Sequence, residues 1–292
     1  MTPGPAAVAD WIEENFDLDA PPIDIAQVVM HIGDQLGWFH SPEEAAERAE
    51  AWKSRLVTRL ARLINEAQAT NRPYRFEFNS SADGTIQGFC FVSTGEDPVQ
   101  AEAKRARSFS DRYRDHIRAH TDRDFESICR GVLKLLGCAD PTLTQKSGDQ
   151  GIDVFGELEL TGRLGYIYHL GGPDALMNSW LAGQAKKYSK LVEVSDVYEF
   201  IGAYTLARQG VFHGDGHALK LFDPKPFQPV FLLFMTTGRL TRGAWQLANR
   251  SGIVVLDEPT ICALLSDRRV ATVVGLFSAV RFEAWTAGKI AV

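Results

Sequence analysis

The sequence predicts an α/β protein, a mixed sheet core flanked by helices, preceded by a mainly helical N-terminal domain with a β-hairpin. Three observations predict it. Apolar residues recur at helical spacing through most of residues 1–70. Strand-like alternation flanks Asp83-Gly84 in "YRFEFNSSADGTIQGFCFV". Beyond Thr121, short apolar strands alternate with amphipathic helices, and parallel strands need such helical crossovers because tight turns cannot join them. The chain has 292 residues, 45% of them hydrophobic, enough for one large domain or two modest ones. The expected division is 1–120 and 121–292.

In the first part, "IDIAQVVMHIGDQLGW" puts Ile25, Val28, Val29, Ile32 and Leu36 on one helical stripe, after a break at Pro21-Pro22. The next helix starts at Ser41 as N-cap, with Pro42 in its first turn and Glu44 completing a capping box. Asp83-Gly84 is a hairpin turn. Asp97-Pro98 opens a further helix whose "KRARSFSDRYRDHIR" is locally basic. Arg105, Arg107, Arg112 and Arg114 are candidate phosphate contacts there, although a solvated helix face interleaved with Asp111 and Asp115 explains the same pattern.

In the second part, "TDRDFESICRGVLKLLG" is a capped helix with Phe125, Ile128, Cys129, Val132 and Leu136 on one stripe and Gly137 as its stop. Strands follow at "VFGELEL", "RLGYIYHL" and "WLAGQAKKY". Then come a helix at "SDVYEFIGAYTLARQ", a buried strand at "PVFLLFMTT", a helix from Thr241 to Gly252, a strand at "IVVLD" and a helix at "PTICALLSD".

No apolar run approaches the roughly 20 residues that cross a bilayer, and the N-terminus lacks a secretory pattern. Cys90, Cys129, Cys138 and Cys262 are scattered without CxxC or zinc spacing, so reduced thiols and a cytoplasmic location are expected. The net charge of −6 argues against a uniformly nucleic-acid-coating surface but leaves room for a local basic groove. There is no GxxxxGK[ST], no GxGxxG and no GxSxG. "HGDGH" offers His213, Asp215 and His217 as metal ligands, or a plain turn at Asp215-Gly216. Trp180 and Tyr188 suit base stacking or, more simply, core packing.

Chemistry concentrates in two places. In "WLAGQAKKY" a period of two puts Trp180, Ala182, Gln184 and Lys186 on one face, so Gln184 and Lys186 point the same way roughly 7 Å apart. An edge strand facing water explains this blandly. In "SGDQGIDVFG", Asp153 begins a strand after a glycine-rich turn. A sheet pairing the two segments brings a carboxylate to an amide oxygen and an ammonium. Carboxylate, amide and backbone oxygens are hard donors that suit magnesium, and an ammonium beside them balances charge in phosphodiester hydrolysis.

From about Phe125 to Leu265 these residues resemble the Mrr-like restriction endonucleases of the PD-(D/E)XK superfamily. The resemblance rests on "FESICRGVLKLLG", "SGDQGIDV", "GQAKKY", "VEVSDVYEFIGAY" and "LLFMTTGRLTRGAWQLANRSGIVVLDEPTICALL", in the family's order. Gln184 stands where the superfamily usually has an acid, and "GGPDALMNSW" and residues 210–228 read as insertions. The resemblance implies a restriction-endonuclease-like fold and a metal-dependent endonuclease of restriction or anti-phage defence. It implies Asp153, Gln184 and the Ala185 carbonyl as ligands of Mg²⁺ (or Mn²⁺) and Lys186 as catalytic lysine. Glu126 would approach the metal, or else be an exposed helix glutamate. Asp149 is expected as a turn residue or a support behind the ligands, and Lys187 as a further phosphate contact. The implied partners are duplex DNA, a second copy of the chain, since two cuts need two sites, and defence-system proteins, with no membrane. A silent nuclease-fold DNA-binding module, or an adaptor subunit of a defence complex, is the alternative.

Overall fold

The computed structural model describes residues 3–144, 151–159, 177–211 and 218–291. Contacts divide the chain into two units, Met1–Phe109 and Ser110–Val292, so the helix just before Thr121 goes with the second unit.

The first unit holds α1 (Pro5–Asn15), β1 (Ile23–Asp24), α2 (Ile25–Gln35), α3 (Pro42–Ala69), β2 (Phe76–Phe78), β3 (Thr85–Gly88) and α4 (Pro98–Arg107). Val8, Ile12, Val28, Val29, Ile32, Leu56, Leu60, Phe76 and Ile86 fill its core. The expected hairpin is present, with Phe76 opposite Gly88 and Phe78 opposite Ile86. A third strand that periodicity does not reveal, β1, pairs with β3 on its other edge. Asp24 then caps α2 by accepting the Ala26 amide, and Lys53 of α3 donates to its other oxygen at 2.9 Å. Ser41 caps α3 by accepting the Glu44 amide, as expected. The reciprocal arm differs: the Glu44 carboxylate accepts from His40, one residue upstream of the cap.

The single basic helix expected after Asp97 is two helices. α4 ends at Arg107, where the Ser108 hydroxyl donates to the Arg105 carbonyl, and a new helix starts at Ser110. Arg105 and Arg107 thus lie in the first unit and Arg112 and Arg114 in the second.

The second unit runs α5 (Ser110–Ala119), α6 (Asp122–Leu136), β4 (Thr142–Leu143), β5 (Val154–Glu159), β6 (Asn178–Lys186), α7 (Val194–Arg208), β7 (Val230–Thr236), α8 (Arg242–Arg250), β8 (Val254–Leu256), α9 (Glu258–Asp267), β9 (Thr272–Val273), β10 (Leu276–Phe277) and α10 (Ala279–Thr286). Five strands form one sheet in the order β4-β5-β6-β7-β8. β4, β5 and β6 pair antiparallel, while β6, β7 and β8 pair parallel, the helices supplying the crossovers. The architecture is thus the mixed sheet flanked by helices that the sequence predicts. α6 begins in a complete capping box between Thr121 and Asp124 and ends at Gly137 with φ 118°. Its stripe of Phe125, Ile128, Cys129 and Val132 is fully buried. Ile152, Phe155, Ala182, Val197, Phe200 and Phe234 form a second cluster with the helices that follow β6 and β7.

The stretch "RLGYIYHL", Asp149 and the histidines of "HGDGH" lie outside the described residues. Trp180 and Tyr188 join the packed core: the Trp180 indole donates to Gln228 and the Tyr188 hydroxyl to Asp196. All four cysteines are buried thiols, none of them in a disulfide. Among the described residues, no helix is long and apolar enough to cross a membrane.

Candidate active site

β6 is the middle strand of five, which removes the edge-strand explanation of Gln184 and Lys186. Asp153 pairs into this strand from just ahead of β5. Its amide donates to the Gly183 carbonyl and its own carbonyl accepts from Thr144, both at 2.9 Å. Its Oδ2 accepts from the Ala185 amide at 2.7 Å. Backbone and side chain together therefore lock the carboxylate onto the strand segment that carries Gln184, Ala185 and Lys186.

Gln184 is 2% exposed, and its Oε1 is buried with no hydrogen-bond partner among the described residues. An unsatisfied buried acceptor costs about 1–3 kcal/mol, so such an atom marks a place prepared for something else. A bound cation would answer it. Gly151 opens space beside this amide: its φ is 71°, and a Cβ there would stand 2.7 Å from the Ala203 Cβ and 3.4 Å from the Gln184 Nε2. Glycine thus serves both the left-handed turn and the close approach of α7.

Lys186 lies opposite Thr236 of β7 in the parallel ladder, two residues beyond Gln184. Lys187 donates to the Arg118 carbonyl at 3.1 Å. Arg118 in turn makes a two-pronged pair with Glu258, at 2.9 and 2.6 Å. The end of β6 is thereby tied to α5 and to the first turn of α9.

Glu126 stands on α6 and pairs with Arg123, which also donates to the Thr144 carbonyl at 3.1 Å. Because Thr144 donates to the Asp153 carbonyl, Glu126 and Asp153 belong to one hydrogen-bonded chain. Both charges act on the buried Cys129 thiol. Burial pushes its pKa well up, and the charges of Asp153 and Glu126 push the same way. The exposed-glutamate alternative for Glu126 does not describe it, since its side chain is 17% exposed.

Among the described residues no cluster of three His, Cys, Asp or Glu side chains forms a ready-made metal cage. The donors here are of mixed kind: a carboxylate, an orphaned amide oxygen and the peptide carbonyls beside them. Hard oxygen donors of this sort fit magnesium rather than zinc.

The remaining candidates are more dispersed. Arg112 is exposed, Arg114 pairs with Asp111 at 3.2 Å, and Arg105 lies 3.8 Å from Glu102. A cavity of about 260 Å³, lined by Asp140, Thr142, Glu157, Trp180 and Leu221 among others, contains none of the expected site residues. It lies toward the Trp180 end of β6, about 20 Å of strand from Lys186. The Arg123 and Thr144 link was not foreseen from sequence. An arginine three residues before a glutamate on a helix is its only local signal.

Residues 117–214 match the family model described as Mrr_cat, restriction endonuclease. Among curated proteins, none matches the chain. Among solved structures, the chain is similar to MspJI restriction endonuclease in complex with a 27-mer oligonucleotide, at 15% identity and a TM-score of 0.40 over 68% of this chain and 40% of that one. It is also similar to the DNA modification-dependent restriction endonuclease AspBHI, at 21% identity and a TM-score of 0.35 over 71% and 46%. The chain spans less than half the length of either. Asp153, Gln184 and Lys186 all lie inside the segment that matches this restriction-endonuclease model.

Proposed function

We propose that the protein is a magnesium-dependent endonuclease that hydrolyses phosphodiester bonds in duplex DNA, in restriction or anti-phage defence. The observation that carries this reading is the orphaned Gln184 oxygen, buried one residue from the amide that anchors the Asp153 carboxylate. Asp153, Gln184 and the Ala185 carbonyl would hold Mg²⁺, or Mn²⁺ in its place. When bound, the ion supplies Lewis-acid polarisation of the scissile phosphate and a water of lowered pKa.

The chain's own residues do the rest. Lys186, on the same strand as Gln184, presents an ammonium to the phosphoryl oxygens as negative charge accumulates there. Glu126, held by Arg123, keeps a second carboxylate in reach to orient the attacking water. Lys187, Arg105, Arg107, Arg112 and Arg114 contact backbone phosphates. Residues 1–120 select the substrate, bind a defence-system partner or hold a dimer, and a homodimer provides the two sites that cutting both strands requires.

The test is plasmid nicking by the full chain with Mg²⁺ or Mn²⁺, beside Asp153→Ala and Lys186→Ala. Nicking by wild type that both substitutions abolish is the expected result. Cleavage that survives both means the chemistry lies elsewhere. A wild type that shifts DNA on a gel without ever cutting it favours a silent binding module, and one that does neither leaves only the adaptor.

A further inference from the structure

Residues 268–281 carry a feature that the nuclease reading does not use. β9 and β10 form a hairpin in which Val273 pairs with Leu276, leaving Val274-Gly275 as a two-residue loop. Both loop residues have positive φ, 49° and 77°. A type I′ turn demands this and normally takes asparagine-glycine, so a β-branched valine there is an outlier. Arg269 and Ala271 also have positive φ, and three of the four such non-glycine residues among the described residues therefore fall within six positions. Strain of this kind persists where the surroundings over-determine it, and it gathers at ligand clamps.

The hairpin base is over-determined. Val270 and Ala271 are buried, the Tyr113 hydroxyl donates to the Val270 carbonyl, and the Ser278 amide donates to the Ala271 carbonyl at 3.0 Å. Phe277 packs against Tyr113 and Phe282. The tip is the opposite: Val274 is 97% exposed and Leu276 64%, and Val280, at the start of α10 just after the hairpin, is 80% exposed. Arg268 and Arg269 precede the hairpin and Arg281 follows it, all three exposed, as are Asp267 and Glu283. The patch is thus locally positive on a chain of net charge −6.

We propose that this hairpin is a wedge for duplex DNA, its apolar tip entering a base step while the flanking arginines hold the neighbouring phosphates. The proposal rests on the endonuclease reading and adds to it an element that reads duplex deformability. Rigid apolar side chains unstack base steps when inserted from a groove, and arginine contacts to phosphate supply the affinity. The reach is suitable. α9 joins the hairpin to the Glu258 end, where Arg118 and Lys187 sit, and its length of about 15 Å corresponds to between four and five base-pair steps. Self-association is the other use of an exposed apolar patch; the net positive balance of Arg268, Arg269 and Arg281 over Asp267 and Glu283 complements a polyanion rather than a second copy of itself.

Val274→Gly removes the side chain and suits the positive φ, so the variant is expected to fold with an equal or higher Tm. The full chain is titrated, with Ca²⁺ in place of Mg²⁺, onto a mixed-sequence duplex carrying 2-aminopurine at several positions. Wild type should raise the 2-aminopurine fluorescence on binding, and Val274→Gly should bind about tenfold more weakly and lose the rise. Replacing Arg268, Arg269 and Arg281 by Gln should flatten the slope of log K against log salt by about 2 to 3. Unchanged affinity and fluorescence in Val274→Gly overturns the wedge. A variant that sediments as a smaller species with DNA binding intact also overturns it and assigns the patch to self-association. Wild type that binds duplex with no fluorescence rise, yet nicks plasmid in Mg²⁺, sinks the wedge while the endonuclease reading stands. Wild type that neither binds nor nicks any duplex sinks both.

Discussion

The Ala185 amide donates to Oδ2 of Asp153 at 2.7 Å, fixing a carboxylate from the start of one strand against the next strand, between Gln184 and Lys186. This bond makes Asp153 structural as well as chemical, and substitutions can separate the two roles.

Asp153→Asn keeps an acceptor for the Ala185 amide and removes the charge. Its stability should stay within about 1 kcal/mol of wild type, while Mg²⁺-dependent nicking falls by at least about a hundredfold. Asp153→Ala should lose the same activity and also unfold earlier, by about 1–3 kcal/mol, because the Ala185 donor is stranded. Urea unfolding beside plasmid nicking checks both halves. Equal stability of the two variants would show that the hydrogen bond contributes little.

Gln184→Leu removes an unsatisfied buried acceptor at similar volume. In metal-free buffer its Tm should match or exceed that of wild type, a gain of up to about 1 kcal/mol. Any rise in wild-type Tm with Mg²⁺ or Mn²⁺ should disappear in the variant. Thermal unfolding with and without each ion reads this directly. A Gln184→Leu protein that is still stabilised by metal would remove Gln184 from the ligand set.

Helix α6 carries Glu126 and depends on its cap. The Thr121 hydroxyl, then its amide, bond the Asp124 carboxylate at 2.6 and 3.0 Å and hold its pKa below the usual value, against a small opposing effect of burial. Thr121→Ala should cost about 1 kcal/mol at neutral pH. The folded-state pKa is depressed, so this contribution is fully present above the unfolded value of roughly 3.9 and is lost as pH falls through the lower folded value. The gap between wild type and Thr121→Ala in urea midpoints should therefore narrow below about pH 4. A constant gap would mean that the carboxylate takes no part.

Gly131 sits mid-helix in α6, where alanine would ordinarily help by about 1 kcal/mol. Here a Cβ would lie 2.4 Å from a ring carbon of Trp285, and that ring is stacked on Phe282. Overpacking of this sort costs about 1–3 kcal/mol, so Gly131→Ala should destabilise overall. A rise in Tm would show that α10 yields freely.

Much of this protein was legible because its signals are local. The Thr121 cap, the Phe125–Val132 stripe and the αL stop at Gly137 are set by neighbouring residues and side-chain periodicity, and α6 forms accordingly. The hairpin around Gly84 follows from turn chemistry and alternation. The break between α4 and α5 escaped notice because helical propensity is continuous across "ARSFSDR" and no proline or glycine punctuates it. The strand β1 escaped because two residues carry no period, and their partner lies some sixty positions away.

The sequence by itself determined the kinds of group available for chemistry: a carboxylate after a glycine turn, and an amide and an ammonium two residues apart on one strand. Period-two geometry alone aligned Gln184 with Lys186. Only the tertiary structure decided that their strand is central rather than an edge, because sheet order depends on pairings between distant segments. Only it brought Asp153 to Ala185 across thirty-two positions, joined Glu126 to the Asp153 backbone through Arg123 and Thr144, and left the Gln184 oxygen buried without a partner among the described residues. Burial and hydrogen bonding are relations between segments, and no local pattern encodes them.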